Sequence, residues 1–168
     1  MKRFILVIIH CLLLLTQSNA QVTDVPTNVL AAVLLKVVDF ELNIREAERF
    51  TIYVMEAPEV AEELHQKIGL KAGKAILKDV QSGSGFPEEI PTILYVGNDQ
   101  ILEKALAYSR QNKVLTVVGN RALVKAGASL GFGVGQEGKT IIYLSLSNSV
   151  KEGKEWNPAI LRIAKVVH

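Results

Sequence analysis

Cysteine is all but missing from this chain of 168 residues: there is one, Cys11, and it stands inside the apolar stretch at the N-terminus. Without further thiols the rest can form neither disulfides nor thiolate metal sites, so its stability has to come from a packed interior. Histidine is scarce as well, and His65 and His168, with no cysteine to help them, make no recognisable zinc-ligand set. Aromatic residues amount to 6%. No apolar run reaches the roughly 20 residues that a membrane-crossing helix needs. Neither charge dominates, and nothing in the balance favours a nucleic acid or an anionic membrane as partner.

What is there begins with Met1-Lys2-Arg3, the apolar run Phe4 to Leu15, and the small-residue exit Ser18-Asn19-Ala20. Basic start, greasy middle and small exit are the parts of a secretory signal, with cleavage expected after Ala20. The residue before Cys11 is His10, where lipoprotein processing wants a small side chain, so Cys11 is read as leader to be discarded. Removing the first 20 of 168 residues leaves 148, and removing Lys2 and Arg3 from 19 basic residues leaves 17 against 17 acidic. The expected product, 21–168, is one charge-neutral exported domain, large enough for its own core.

Along that domain, Pro26 to Phe40 (PTNVLAAVLLKVVDF) is apolar nearly all round a helix, as expected where a helix is buried on several sides or covered by a partner. Phe50 to Met55 reads as a strand, and Pro58 opens a helix with Val60, Leu64 and Ile68 on one face and Gly69 as its stop. Ala75 to Val80 alternates like a strand near an edge, followed by a loop, Gln81 to Pro87. Thr92 to Val96 and Val114 to Val118 are continuous apolar strands, each closed by Gly-Asn and followed by a helix; the first helix carries Ile101, Leu102, Ala105 and Leu106 inside, and the second ends near Gly127. Such strands belong to a parallel sheet covered on both faces. Ser129 to Val134 and Lys139 to Ser147 read as an antiparallel hairpin. A closing helix is expected from Asn157 as cap and Pro158, with Trp156 stapling Leu161 and Ile160, Ile163, Ala164 and Val167 inside. The fold class is therefore α/β: a single-domain three-layer sandwich with a mostly parallel sheet, a C-terminal antiparallel hairpin and a closing helix.

Residues 133–140, GVGQEGKT, match the phosphate-loop pattern G-x-x-x-x-G-K-[ST] letter for letter. A working phosphate loop joins a strand to a helix, whose N-terminal amides face the phosphates. Here IIYLSLS follows, which is strand-like, so the segment is read as a hairpin turn and a nucleotide-binding enzyme is a remote alternative. Ser82 and Ser84 lack nucleophile-elbow spacing, His65 sits on a helix flank, and the adjacent Glu62 and Glu63 point apart. No catalytic group, cofactor or metal is called for.

Ligands of open parallel sheets sit beyond the carboxyl ends of the strands, where Glu56, Asn98, Asp99, Asn120 and Arg121 are expected. Asn98 and Asn120 also suit helix caps, and Asp99 suits a helix's positive end. A small-ligand binding module with its pocket there is the second functional reading.

Four stretches, in order over about residues 26–167, resemble the YfiR-like periplasmic proteins: PTNVLAAVLLKVVDF; the pair TILYVGND and VLTVVGN; the hairpin LGFGVGQEGKTIIYLSLS; and the tail EWNPAILRIAKVV. The resemblance implies an α/β sandwich that regulates by binding the periplasmic domain of an inner-membrane signalling protein, of the diguanylate cyclase or histidine kinase type. A homodimer is left open, and no membrane insertion is expected after cleavage. Family members carry disulfide-forming cysteines that are missing here, so a redox-sensing role does not carry over. The candidate partner surface is the over-apolar helix, through Val29, Val33, Leu34, Val37 and Phe40.

Overall fold

The computed structural model describes residues 25–168; the expected leader, 1–20, with His10 and Cys11, lies outside the described residues. The chain runs through α1 (Thr27–Val38), α2 (Leu42–Glu46), β1 (Arg49–Met55), α3 (Pro58–His65), the two-residue β2 (Lys71–Ala72), β3 (Ala75–Gly83) and β4 (Ile93–Val96). It continues through α4 (Leu102–Asn112), β5 (Leu115–Val118), α5 (Arg121–Lys125), β6 (Leu130–Val134), β7 (Thr140–Leu144), α6 (Leu146–Lys151) and β8 (Ala164–Val166). The strands form one sheet in the order β2-β3-β1-β4-β5-β6-β7-β8.

From β3 to β6 all pairings are parallel; β7 runs antiparallel to β6, and β8 parallel to β7. This is an α/β sandwich of the doubly wound kind, in which the chain steps left from β1 to β3 and then returns to β4. Side chains of β1 alternate between its faces, as extended backbone requires. Ile52 and Val54 pack under α1 and α3, while Tyr53 and Met55 pack under α4 and α5. The link from β3 to β4 has no helix of its own; it crosses the α4 side, where Phe86 stacks on Tyr108 with ring centroids 5.0 Å apart.

The strip expected near an edge is one strand in: β2 covers β3 only at Ala75 and Ile76. Beyond them the register against β1 slips between Phe50 and Thr51, and Asp79 Oδ1 accepts the Val80 N–H at 2.9 Å while its Oδ2 accepts from the Gln81 amide. A bulge, a charged side chain and an occupied donor blunt this edge against a further strand.

Two expectations at the C-terminal end need correction. The second hairpin strand stops at Leu144, because Ser145 caps α6: its Oγ accepts the Asn148 N–H, and its carbonyl accepts the Ser149 hydroxyl at 2.8 Å. The apolar-serine alternation thus spans a strand end and a cap. The closing helix is instead a 3-10 turn, Pro158–Arg162, followed by β8, with the Val167 N–H donating to the Leu144 carbonyl. Asn157 does cap the turn through Ala159 N–H. Ile160 and Val167 are buried, but Leu161 and Ile163 are each 49% exposed, so Trp156 does not staple Leu161. The Trp156 indole N–H donates to Ser149 Oγ at 2.9 Å. Ile68 also lies outside its expected helix, which ends at His65, and is exposed.

Candidate functional site

The parallel strands end together, and the loops after β1, β4 and β5 carry the five residues expected in a crevice. Glu56 leaves β1 with φ at +56°, and its N–H donates to the Gly83 carbonyl. Gly97 leaves β4, with its N–H on the Met55 carbonyl at 2.8 Å. A Cβ on Gly97 would stand 2.5 Å from the Glu56 carbonyl oxygen and 2.6 Å from Ala57 Cβ. Backbone therefore closes on backbone at the point where the strand order reverses, where such sheets usually hold their ligand.

The other expected residues are spoken for locally. Asn98 Oδ1 accepts the Gln100 N–H at 2.9 Å, placing Asp99 in the first turn leading to α4, and Asn120 Oδ1 accepts the Leu123 N–H at 3.0 Å at the start of α5. Arg121 turns towards β7, with its guanidinium carbon 5.8 Å from the Tyr143 ring centroid. Among the described residues no ion pair joins Glu56, Asp99 or Arg121 to one another. Asn120 lines a cavity of about 210 Å³ with Leu30, Val60, Tyr95, Gly97 and Gly119. That is smaller than the roughly 300 Å³ at which small-molecule sites begin. Glu56 lines a separate cavity of about 220 Å³ with Ser82 and Ser84. No hydrogen bond joins either serine to Glu56, and His65 is not among the lining residues.

The phosphate-loop match is a hairpin turn. Gly133 pairs with Ile141 and Val134 with Thr140 across the ladder, and the Gly135 N–H donates to the Lys139 carbonyl at 2.8 Å. Glu137 and Gly138 turn the chain at φ +61° and +72°. Lys139 Nζ donates to Glu137 Oε2 at 2.8 Å in solvent. A strand follows the loop, as the hairpin-turn reading expects, and no helix N-terminus stands directly behind Lys139 and Thr140.

The candidate partner helix is mostly core. Leu34 and Val37 are fully buried, Val33 and Phe40 pack against the same core, and only Val29 stays exposed. The reason is geometric: α1 lies on the sheet and beside α3, so two of its sides are covered. Leu34 and Val37 are thereby corrected from surface to interior.

A buried polar cluster carries no mark in the sequence. Glu152, after α6, is fully buried; its Oε2 accepts the Thr116 N–H at 2.9 Å and the Ser129 hydroxyl at 2.6 Å. Burial pushes this carboxyl up to about 7, against the pull of those two hydrogen bonds and of Lys154. Burial also lowers the Lys154 ammonium, opposed by the charges of Glu41 and Glu152. Glu41 accepts the Ile44 N–H at 2.7 Å and the Glu155 N–H at 3.0 Å, tying the first helices to the last turn. Lys154, Glu155 and Glu152 stand around a glycine in KEGKE, which reads as a solvated turn; only the fold makes it interior.

No family model and no curated protein matches the sequence. Among solved structures, the chain is similar to a conserved domain protein from Vibrio cholerae, at a TM-score of 0.53 and 13% identity over 85% of this chain. The chain spans 60% of that protein's length. The likeness shows the fold alone. No helix of the described residues is long and apolar enough to cross a membrane.

Proposed function

We propose that this chain is an exported, non-enzymatic regulator that docks on the periplasmic domain of a membrane-anchored signalling protein and changes its output. The reading is supported by the resemblance to YfiR-like proteins and by the leader-like N-terminus. The observation that carries it is the outer edge of the sheet at β8. Val166 is 36% exposed on a strand whose outer side has no partner among the described residues, and Leu161 and Ile163, each 49% exposed, stand in and just after the 3-10 turn that leads into it. Val166 pairs with Leu144, two residues before Leu146, and Leu146 and Val150 of α6 are also exposed.

An edge strand flanked by apolar side chains offers backbone hydrogen bonds for affinity and side-chain contacts for selectivity. The occupant that fits is an extended segment of the receptor's exported domain, laid along β8. The test is association of the purified protein with the exported domain of a membrane signalling protein encoded beside it. Binding at micromolar concentration, lost in Ile163→Glu and Val166→Glu, supports the reading. Absence of binding at that concentration, or binding indifferent to both substitutions, counts against it.

A further inference from the structure

Between α1 and β2 lies a groove of about 620 Å³. Its size falls within the roughly 300–1,000 Å³ of small-molecule sites. Its apolar lining comes from Ala32, Leu35 and Phe40 at one wall and Leu70 and Ala72 at the other. Leu70, 51% exposed, offers its side chain to the groove from a wall held by the sheet. The Leu77 N–H donates to the Leu70 carbonyl, and the Gly69 N–H to the Leu77 carbonyl, both at 2.9 Å, so β3 fixes this wall through backbone bonds. The groove is a built feature of the fold.

Lys36, Lys67 and Lys71 also line it, and no ion pair or hydrogen bond of their side chains exists among the described residues. The lining's one carboxylate, Asp39, has Oδ1 buried without a hydrogen-bond partner. Three free ammonium groups against one carboxylate make the groove locally cationic, although basic and acidic residues balance over 21–168 as a whole. An apolar floor under a cationic lining is complementary to an alkyl chain ending in an anionic head.

We infer that the α1–β2 groove binds a single-chain anionic amphiphile, an alkyl carboxylate or alkyl phosphate, with its chain on Leu35, Phe40 and Leu70 and its head on the lysines. This goes beyond receptor docking, because it uses the opposite end of the sheet from β8. Each lysine head contact is a charge-assisted hydrogen bond, so losing one weakens binding about tenfold.

The test is calorimetric titration of the purified protein with decanoate, kept below its micelle-forming concentration. Expected is one saturable site, weakened about tenfold by Lys36→Glu and by Lys67→Glu and further by Leu70→Ser, with no binding of decyltrimethylammonium. All three positions are surface ones, and unchanged thermal melting of the variants shows that the fold is intact. Equal binding of the cationic amphiphile, or decanoate binding untouched by the lysine changes, overturns the inference. So does association with phosphatidylglycerol vesicles without a response to free decanoate, which assigns the lysines to a membrane surface. Saturable binding of an acidic leucine-rich peptide, with none of decanoate, overturns it in favour of a protein segment.

Discussion

Glu152 Oε2 accepts the backbone N–H of Thr116, 36 residues earlier in the chain, at 2.9 Å. Thr116 lies in β5 one residue before the pairing with β6 begins at Val117, so a carboxylate takes the place of the missing ladder bond. The same oxygen holds Ser129 just ahead of β6.

This carboxyl makes stability depend on pH. Burial raises it from 4.5 to about 7 in the folded state, so the folded protein holds more protons than the unfolded chain between those values. The contribution is therefore fully present below pH 4.5 and is lost as pH rises towards 7 and above. At 1.36 kcal/mol per unit the loss is on the order of 3 kcal/mol. Glu152→Gln keeps an oxygen for Thr116 and Ser129 but does not titrate. Denaturant unfolding at pH 4.5 and pH 8 should show wild type losing that much relative to the variant; parallel pH profiles would refute it.

Gly97 is set by the Glu56 carbonyl. Gly97→Ala pushes a methyl group into backbone, which cannot swing aside as a side-chain tip can. A loss of about 1–3 kcal/mol is expected from denaturant midpoints. An unchanged midpoint would mean that the loops after β1 and β4 separate freely.

On α1 the two faces should behave differently. Leu34→Ala opens a cavity in a fully buried position and should cost about 2–5 kcal/mol, whereas Val29→Ala, at an exposed one, should stay within about 0.5 kcal/mol. Similar losses at both positions would show that Val29 is covered in solution.

Lys139→Ala should leave both stability and nucleotide response unaltered, since an exposed pair such as Lys139 and Glu137 contributes about 1 kcal/mol at most. Melting scans with and without magnesium-ATP make the check. A ligand at 100 times its dissociation constant adds about 2.7 kcal/mol, so an ATP-dependent shift that disappears in Lys139→Ala would restore the phosphate-loop reading.

The interior strands were legible in the sequence because burial on both faces leaves one mark, an unbroken apolar run, as in Ile93 to Val96 and Leu115 to Val118. Asn98 and Asn120 were legible as caps, since capping is local. Residues 157–167 misled because Ile160, Ile163, Ala164 and Val167 at helical spacing also suit a turn that runs into a strand. Glu152 was illegible for a different reason: a charged residue beside glycine looks solvated until β5 and β6 are placed around it. The groove of Lys36 and Lys67 was illegible likewise, because it exists only where α1 meets a strip of chain some thirty residues on. Close approach of Gly97 to Glu56 depends on strand pairing, which no local pattern encodes.

Asp79 has a consequence for assembly. By occupying the Val80 amide it takes one backbone donor away from the β3 edge, so among the described residues β8 is the end of the sheet better suited to recruit a neighbour. Units that join by a single sticky end stop after one joining event, whether the neighbour is a receptor strand or a twin related by a twofold axis. Crowding such molecules should therefore favour pairs over the fibrils that two equally open ends would promote.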